Sequence, residues 1–292
     1  MNTRVRPTPN AIPHVGHAWV AWCNFRAAKA TGGTFSVIID DLVYDAQCLD
    51  LRSMSVEKAT AGWVDSLTWL FGEPPDRVAV SSEFTAKHDA ACEQLGIRRP
   101  VQFGPLNFVG DPVFQAVPAT VPPHEYAVHP SFVVARVVDD RELGVEGFVR
   151  GTDLVRECAL YDYFCHALGY PSVRQSYVPT VTRAAYAPGK KESSSANCFT
   201  VNWLKAAGYQ PAEIIETLEE CNRRSRKAGL EQNVLPVGVL EPEQVRVMES
   251  RAASEEYRKA LEDATGMPWE ADVREAVRRR GKAEKTSGPA DS

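Results

Sequence analysis

His14 and His17 flank Val15-Gly16 where an apolar helix is expected to begin, and Arg4-Val-Arg-Pro-Thr-Pro9 leads into them with Pro13 just before. Prolines hold such an approach extended. A helix start offers free backbone N–H groups to an anion, and Gly16 lets a ligand come close to the chain. Imidazoles there can donate hydrogen bonds to a triphosphate or to a strained phosphorane. A second element lies far downstream, where Gly189-Lys190-Lys191-Glu192-Ser193-Ser194-Ser195 gathers cations and hydroxyls in one short polar segment. Together they point to nucleotide chemistry.

The elements that must position these groups read as alternating helices and strands. His17 to Lys29 carries small and aromatic residues at helical spacing and ends at Thr31-Gly32-Gly33. Thr34 to Ile39 reads as a buried strand running into Asp40-Asp41, at the edge where parallel α/β sheets bind ligands. Ser55 opens a helix through Trp63, Leu67 and Leu70 that breaks at Gly72-Glu-Pro-Pro75. Val78 to Ser81 is strand-like, and Glu83 to Leu95 helical. From Gly96 to His129 prolines recur and periodicity fades, as in a loop-rich insertion.

Ser131 to Val138 reads as a strand ending in Asp139-Asp140, which would fix a turn. Val145 to Val149 reads as another, before Arg150-Gly-Thr-Asp153. Thr152 or Asp153 is expected to cap a helix through Leu160 and Leu168, and Ser176 to Val181 is again strand-like. Beyond Ser195 the chain reads as helical, with starts at Gln210-Pro211 and Glu241-Pro242. A basic run from Arg274 to Lys285 reads as a solvated helix face, and the last residues as disordered. This alternation implies an α/β fold with a parallel sheet.

Of 292 residues, 44% are hydrophobic and 24% charged, as in ordinary globular proteins, and the net charge of −5 provides no global nucleic-acid footprint. Seven cysteines, scattered and without a C-x-x-C pair, argue against a disulfide framework and a typical zinc site; no metal ligands are assigned. With neither a signal-peptide core nor a membrane-length apolar run, the expectation is a cytoplasmic protein without membrane or DNA partners.

On these residues the chain resembles the catalytic domain of glutamyl-tRNA synthetases. The family motif R-F-A-P-S-P-T-G-x-L-H-I-G-H aligns with Arg4 to His17 without a gap and retains Arg4, Pro7, Pro9, His14, Gly16 and His17. G-G-x-F-x-L-R-I-E-D is echoed by Gly32 to Asp41. The tract ending in V-V-D-D…V-I-R-G-E-D is echoed by Phe132 to Asp153, and K-L-S-K-R by Lys191 to Ser195. Trp203 to Pro211 resembles L-R-E-x-G-Y-x-P, so the likeness covers most of residues 1 to 220.

The resemblance implies a class I synthetase Rossmann-type parallel sheet with a short inserted subdomain and a helical C-terminal region. Residues 1–82 would form the first half of the catalytic domain, 83–129 a shortened acceptor-type insertion, 130–225 the second half and 226–292 a helical tail. ATP and Mg²⁺ would be used, a carboxylate attacking the α-phosphate. His14, His17, Lys191, Ser193 and Ser194 would be catalytic, with Pro9, Gly16, Lys190 and Ser195 completing the nucleotide site. Arg4, Arg6, Thr8, Asp40, Phe132 and Arg150 would surround the amino acid, glutamate or a relative.

Departures accompany the match. Ser194 stands for the loop's second lysine, and Glu192 for an apolar residue. Phe132 lacks the family tyrosine's hydroxyl, Arg6 replaces an alanine, and Asp40 shortens the glutamate that meets the ammonium. The insertion is shortened and no anticodon domain is evident. The expected acceptor is therefore something other than a conventionally recognised whole tRNA, such as a small molecule, peptide or protein. Aminoacylation of tRNA, or of a modified tRNA base as in glutamyl-Q-tRNA(Asp) synthetases, is the alternative. A non-catalytic paralogue that binds for regulation and, more weakly, a cytidylyltransferase-like enzyme are the competing classes.

Overall fold

A computed structural model describes residues 1–9, 12–42, 55–97, 130–183, 200–227 and 233–235. The insertion from 98 to 129, the Lys190–Ser195 segment, the helix expected at Glu241-Pro242 and the basic run near the C-terminus lie outside the described residues. The chain divides into two compact units, Met1–Ala11 with Trp19–Thr180, and Ile12–Ala18 with Val181–Ser292.

In the first unit β1 (Thr3–Val5), β2 (Phe35–Ile39) and β3 (Arg77–Val80) form a parallel sheet in that order, joined through α1 (Val15–Ala30) and α2 (Val56–Phe71). Strand β2 is buried along its whole length, so its side chains alternate between two apolar layers. Val37 and Ile39 pack with Val5, Phe25, Trp63 and Leu67 on the face covered by α1 and α2. Ile38 faces a second cluster with Ala79, Val134, Val138, Phe148 and Leu160, built from α3 (Thr85–Gln94), α4 (Pro130–Glu142), β4 (Gly147–Gly151) and α5 (Cys158–Ala167). Ser55 caps α2 by accepting from Lys58 N–H at 3.2 Å, and Gly72, at φ 79°, closes it.

Strand β4 pairs in parallel with β5 (Arg174–Val178). Its approach meets β1 through Glu146 and Gly147 N–H groups that donate to the Asn2 carbonyl at 2.9 and 3.2 Å. Further along, the buried Asn24 amide of α1 takes the place of a neighbouring strand. It donates to the Val149 carbonyl at 2.9 Å and accepts the Val149 N–H at 2.8 Å. In the second unit β6 (Val181–Arg183) pairs in parallel with β7 (Asn233–Leu235), and α6 (Val201–Ala206) precedes α7 (Pro211–Lys227). Helix α7 buries Ile214, Ile215, Leu218, Cys221 and Ser225, one helical stripe.

Several elements differ from the sequence reading. Residues 131–138 form the body of helix α4, not a strand, and Asp139-Asp140 lie within it. Val133, Val134, Ala135, Val137 and Val138 are all 2% exposed or less. A helix buried all round shows no amphipathic period, and packing overrides the β-branched preference for strands. Gly151, without a side-chain cap, precedes a 3₁₀ stretch over Thr152–Glu157, so neither Thr152 nor Asp153 caps α5. A second 3₁₀ turn, Ser81–Phe84, precedes α3. The expected strand from 176 to 181 is divided between β5 and β6, and β7 interrupts the helical C-terminal region. Short strands such as β7, with three residues, leave too little sequence for a period to register.

Candidate active site

The second unit contains the histidine turn. His14 is 4% exposed, directly before α1, and its Nδ1 accepts the Gly16 N–H at 3.0 Å. With Nδ1 an acceptor, neutral His14 has its proton on Nε2, which is then a donor. The rings of His14 and His17 stack at 3.8 Å between centroids and 30° between planes. The His14 carbonyl accepts from Ala18 N–H at 2.9 Å, closing the first helical turn. His14 forms an antiparallel bridge with Thr200, and Val201 N–H donates to the Pro13 carbonyl at 2.7 Å. Thr200 and Val201 thus lie alongside the histidine turn.

The first unit contains the polar edge where β1, β2 and β3 end. Arg4 grips Asp140 of α4 with both forks, Nε to Oδ1 at 2.8 Å and Nη2 to Oδ2 at 2.7 Å. Tyr161 also donates to Asp140 Oδ2 at 2.8 Å. Burial alone would raise the Asp140 carboxyl, but Arg4, then Arg6 and the Tyr161 hydroxyl, hold it below the ordinary carboxylate range. Burial, then the Asp140 charge, raises the Tyr161 phenol, which stays a donor at neutral pH.

Arg6 is a hub rather than an open cation. Its Nε donates to Asp40 Oδ2 at 2.9 Å, its Nη2 to Ser81 Oγ at 2.9 Å, and its Nη1 lies 2.7 Å from Asp139 Oδ2. Ser81 in turn donates to Asp139 Oδ2 at 2.5 Å, and the buried His88 Nε2 lies 2.5 Å from Asp139 Oδ1. Burial lowers the Arg6 guanidinium, but Asp40 and Asp139 outweigh it and raise it above its ordinary value. Asp40 also accepts from Arg136 Nε at 3.4 Å, while its buried Oδ1 has no hydrogen-bond partner among the described residues. Burial would lift Asp40, yet Arg6 and Arg136 hold it below the usual carboxylate range. Asp40 N–H donates to the Pro7 carbonyl at 2.7 Å, so the proline approach is fastened to the end of β2.

Arg150, 5% exposed, places its guanidinium 4.5 Å from the centroid of Phe148, the same ring that Arg4 covers at 4.0 Å. It also lies 5.6 Å from the Tyr161 ring. Arg4, Arg6, Asp40 and Arg150 are therefore gathered at one edge by Asp139, Asp140, Phe148 and Tyr161. Phe132 is buried near the start of α4, and Thr8 and Pro9 are half-buried. Lys190, Lys191, Ser193, Ser194 and Ser195 fall outside the described residues.

Sequence reasoning missed Arg136, Ser81, Tyr161 and His88, and treated Asp139-Asp140 as a strand terminus. The tandem aspartates were the one legible signal. His88 is the buried partner of Asp139.

A parallel sheet with helices on both faces and charged side chains at its strand ends defines a Rossmann-type α/β domain. Residues 1–98 match the family model described as tRNA synthetases class I (E and Q), catalytic domain. The chain is similar to glutamate–tRNA ligase 2 of Brucella ovis, 26% identical over 73% of this chain and 54% of the relative. Glutamate–tRNA ligase 1 of Brucella melitensis biotype 1 matches with the same identity and shares. The chain thus spans about half the length of the curated relatives it matches. Among solved structures it is similar to a glutamate tRNA ligase from Elizabethkingia meningosepticum in complex with its amino acid. That likeness has a TM-score of 0.55 and 14% identity, and covers 94% of this chain and 75% of that one. The chain resembles, in particular, the catalytic domain of a glutamyl-tRNA synthetase. Among the described residues, no helix is long and apolar enough to cross a membrane.

Proposed function

We propose that this protein activates an amino acid, glutamate or a relative, as its adenylate at the expense of ATP, and passes the acyl group to an acceptor. A carboxylate oxygen attacks the α-phosphorus, the bond to the bridging oxygen breaks, and pyrophosphate leaves. The observation that carries this reading is the stacked His14–His17 pair at the start of α1. The Nε2–H of His14 is a fixed donor beside a helix N-terminus, the kind of group that stabilises charge developing on phosphoryl oxygens. Pro9 and Gly16 would line the nucleotide, and Lys190, Lys191, Ser193, Ser194 and Ser195 would close over its phosphates. Mg²⁺, held mainly by phosphate oxygens and water, would neutralise the triphosphate.

The amino acid would lie against Arg4, Arg6, Thr8, Asp40, Phe132 and Arg150. The buried Asp40 Oδ1, unpartnered among the described residues, fits a substrate ammonium, which would supply the missing donor. Arg4 and Arg6 would act chiefly by fixing Asp140, Asp139 and Asp40. The division into residues 1–82, 83–129, 130–225 and 226–292 is part of the same reading. For the acceptor, every relative cited is named a glutamate–tRNA ligase, which favours tRNA or a base within it. The non-tRNA acceptor expected from the sequence has no support from the relatives.

ATP–pyrophosphate exchange with a panel of amino acids tests the activation step. Exchange is expected with an acidic amino acid and lost in His14→Ala with His17→Ala. Absence of exchange with every amino acid, or exchange retained in the double variant, would overturn the assignment.

A further inference from the structure

The end of the β4–β5 pair contains a second polar group, of which the sequence points to Arg150 but not to Tyr177. Arg150 and Tyr177 are register partners in this parallel pair, so their side chains leave the same face. Both lie one residue from the C-terminal end of their strands, at the ligand-binding edge of parallel sheets. Along β5, Gln175 and Tyr177 are half-buried while Arg174 and Ser176 are exposed, as a period of two requires.

The hydrogen bonds around Tyr177 determine where its proton points. Gln175 Nε2 donates to Asp162 Oδ1 at 2.7 Å, which fixes the amide orientation and turns Oε1 toward the phenol. The Tyr177 hydroxyl therefore donates to Gln175 Oε1, at 3.0 Å. The Cys158 thiol, at the first residue of α5, contacts the phenol oxygen and can donate to it. Burial, then the contact with Cys158, raises the Tyr177 phenol above its ordinary value, so it is protonated at neutral pH.

Among the described residues, the acceptor that holds this donor is neutral. A carboxylate is a stronger acceptor than an amide carbonyl, and a half-buried phenol can turn its proton to one that arrives beside Arg150. We propose that Arg150 and Tyr177 form a clamp for one carboxylate of the amino-acid substrate, with Tyr177 the specificity-determining hydroxyl. The clamp rests on the adenylation reading above and deepens it. It favours a carboxylate over the isosteric amide, because the guanidinium has only donors to offer and a charged carboxylate accepts from it more strongly than a neutral amide does.

The test is Tyr177→Phe, followed by ATP–pyrophosphate exchange with glutamate, aspartate and glutamine and by calorimetric titration of the same amino acids. The KM for the preferred acidic amino acid should rise about 10- to 100-fold, the range for a hydrogen bond to a charged acceptor. Selectivity over glutamine should fall with it. kcat should stay within about 3-fold and the KM for ATP should not move, since the proposed clamp acts on the amino acid and not on ATP. Gln175→Leu, which keeps the phenol and removes its ligand-free acceptor, should leave the amino-acid KM unchanged or lower it. An unchanged amino-acid KM in Tyr177→Phe overturns the clamp and leaves adenylation standing. So does a parallel loss of kcat, ATP affinity and thermal stability, the mark of a structural role. If the wild-type protein shows no exchange at all, the adenylation reading falls. Calorimetry then judges the clamp, and equal or absent acidic amino-acid binding by wild type and Tyr177→Phe overturns it.

Discussion

Separating Arg4 from Asp140 should produce two variants whose stabilities diverge with pH. Their side chains are 3% and 0% exposed, and two charge-assisted hydrogen bonds join them. Breaking such a pair by removing one partner costs about 3–5 kcal/mol, because the other charge is left buried. Asp140→Asn keeps shape and leaves Arg4 as the uncompensated ion. A guanidinium does not lose its proton in this range, so the penalty should be the same at pH 7 and pH 5. Arg4→Met keeps much of the stem that covers Phe148 and leaves Asp140 as the lone ion. That carboxyl can escape by taking up a proton.

The sign follows from linkage. In the wild type Asp140 is held below its ordinary value of 3.8, so it is ionised in both folded and unfolded states between pH 5 and 7 and adds no slope there. In Arg4→Met burial is opposed only by Arg6 and the Tyr161 hydroxyl, and the folded-state value climbs. Where the folded protein binds one proton more than the unfolded chain, stability grows by about 1.36 kcal/mol for each unit of pH decrease. Arg4→Met should therefore recover up to about 2.7 kcal/mol between pH 7 and pH 5, and Asp140→Asn none. Urea unfolding at pH 5, 6 and 7 is read as the difference from wild type, which cancels contributions common to all three proteins. A loss below about 1 kcal/mol in Asp140→Asn, or parallel pH profiles for the two variants, would refute the reasoning.

Two further outcomes follow from the same structure. Asn24→Ala removes both bonds to Val149, leaving a part-buried N–H and carbonyl without the Asn24 partner, and should cost about 1–3 kcal/mol with faster hydrogen exchange at Val149. Stability within about 0.5 kcal/mol of wild type would show that another group satisfies them. For the wild type, Asp40 and Asp140 have lowered folded-state values. Their contribution is fully present above the ordinary carboxylate value of 3.8 and is lost as pH falls through the lower folded-state values. Circular dichroism in moderate urea should show a midpoint that drops steeply in that acid window, and Asp40→Asn should flatten the drop.

Much of the scaffold was legible from local pattern. The helix after His17, the buried strand before Asp40-Asp41, and the capped helix from Ser55 to Gly72 carry strong short-range signals, and all three stand in the structure. Helix α4 was not legible, because a segment buried on every side has no polar face to reveal its period. Its misreading hid the partners of the site, since Arg136, Asp139 and Asp140 lie on one helix at spacings of three and four.

The sequence alone determined which chemical groups are available: paired histidines at a helix start, arginines after the first strand, carboxylates after the second. Tertiary structure alone decided which charges meet. Arg4 and Asp140 are 136 residues apart and share two hydrogen bonds. Arg6, legible as an added cation, proved to be consumed by Asp40, Ser81 and Asp139. Tyr177 gained its proposed role only from register beside Arg150. Propensity and capping act over a few residues and are written locally, whereas the charge state and direction of a buried polar group depend on every neighbour the fold brings to it.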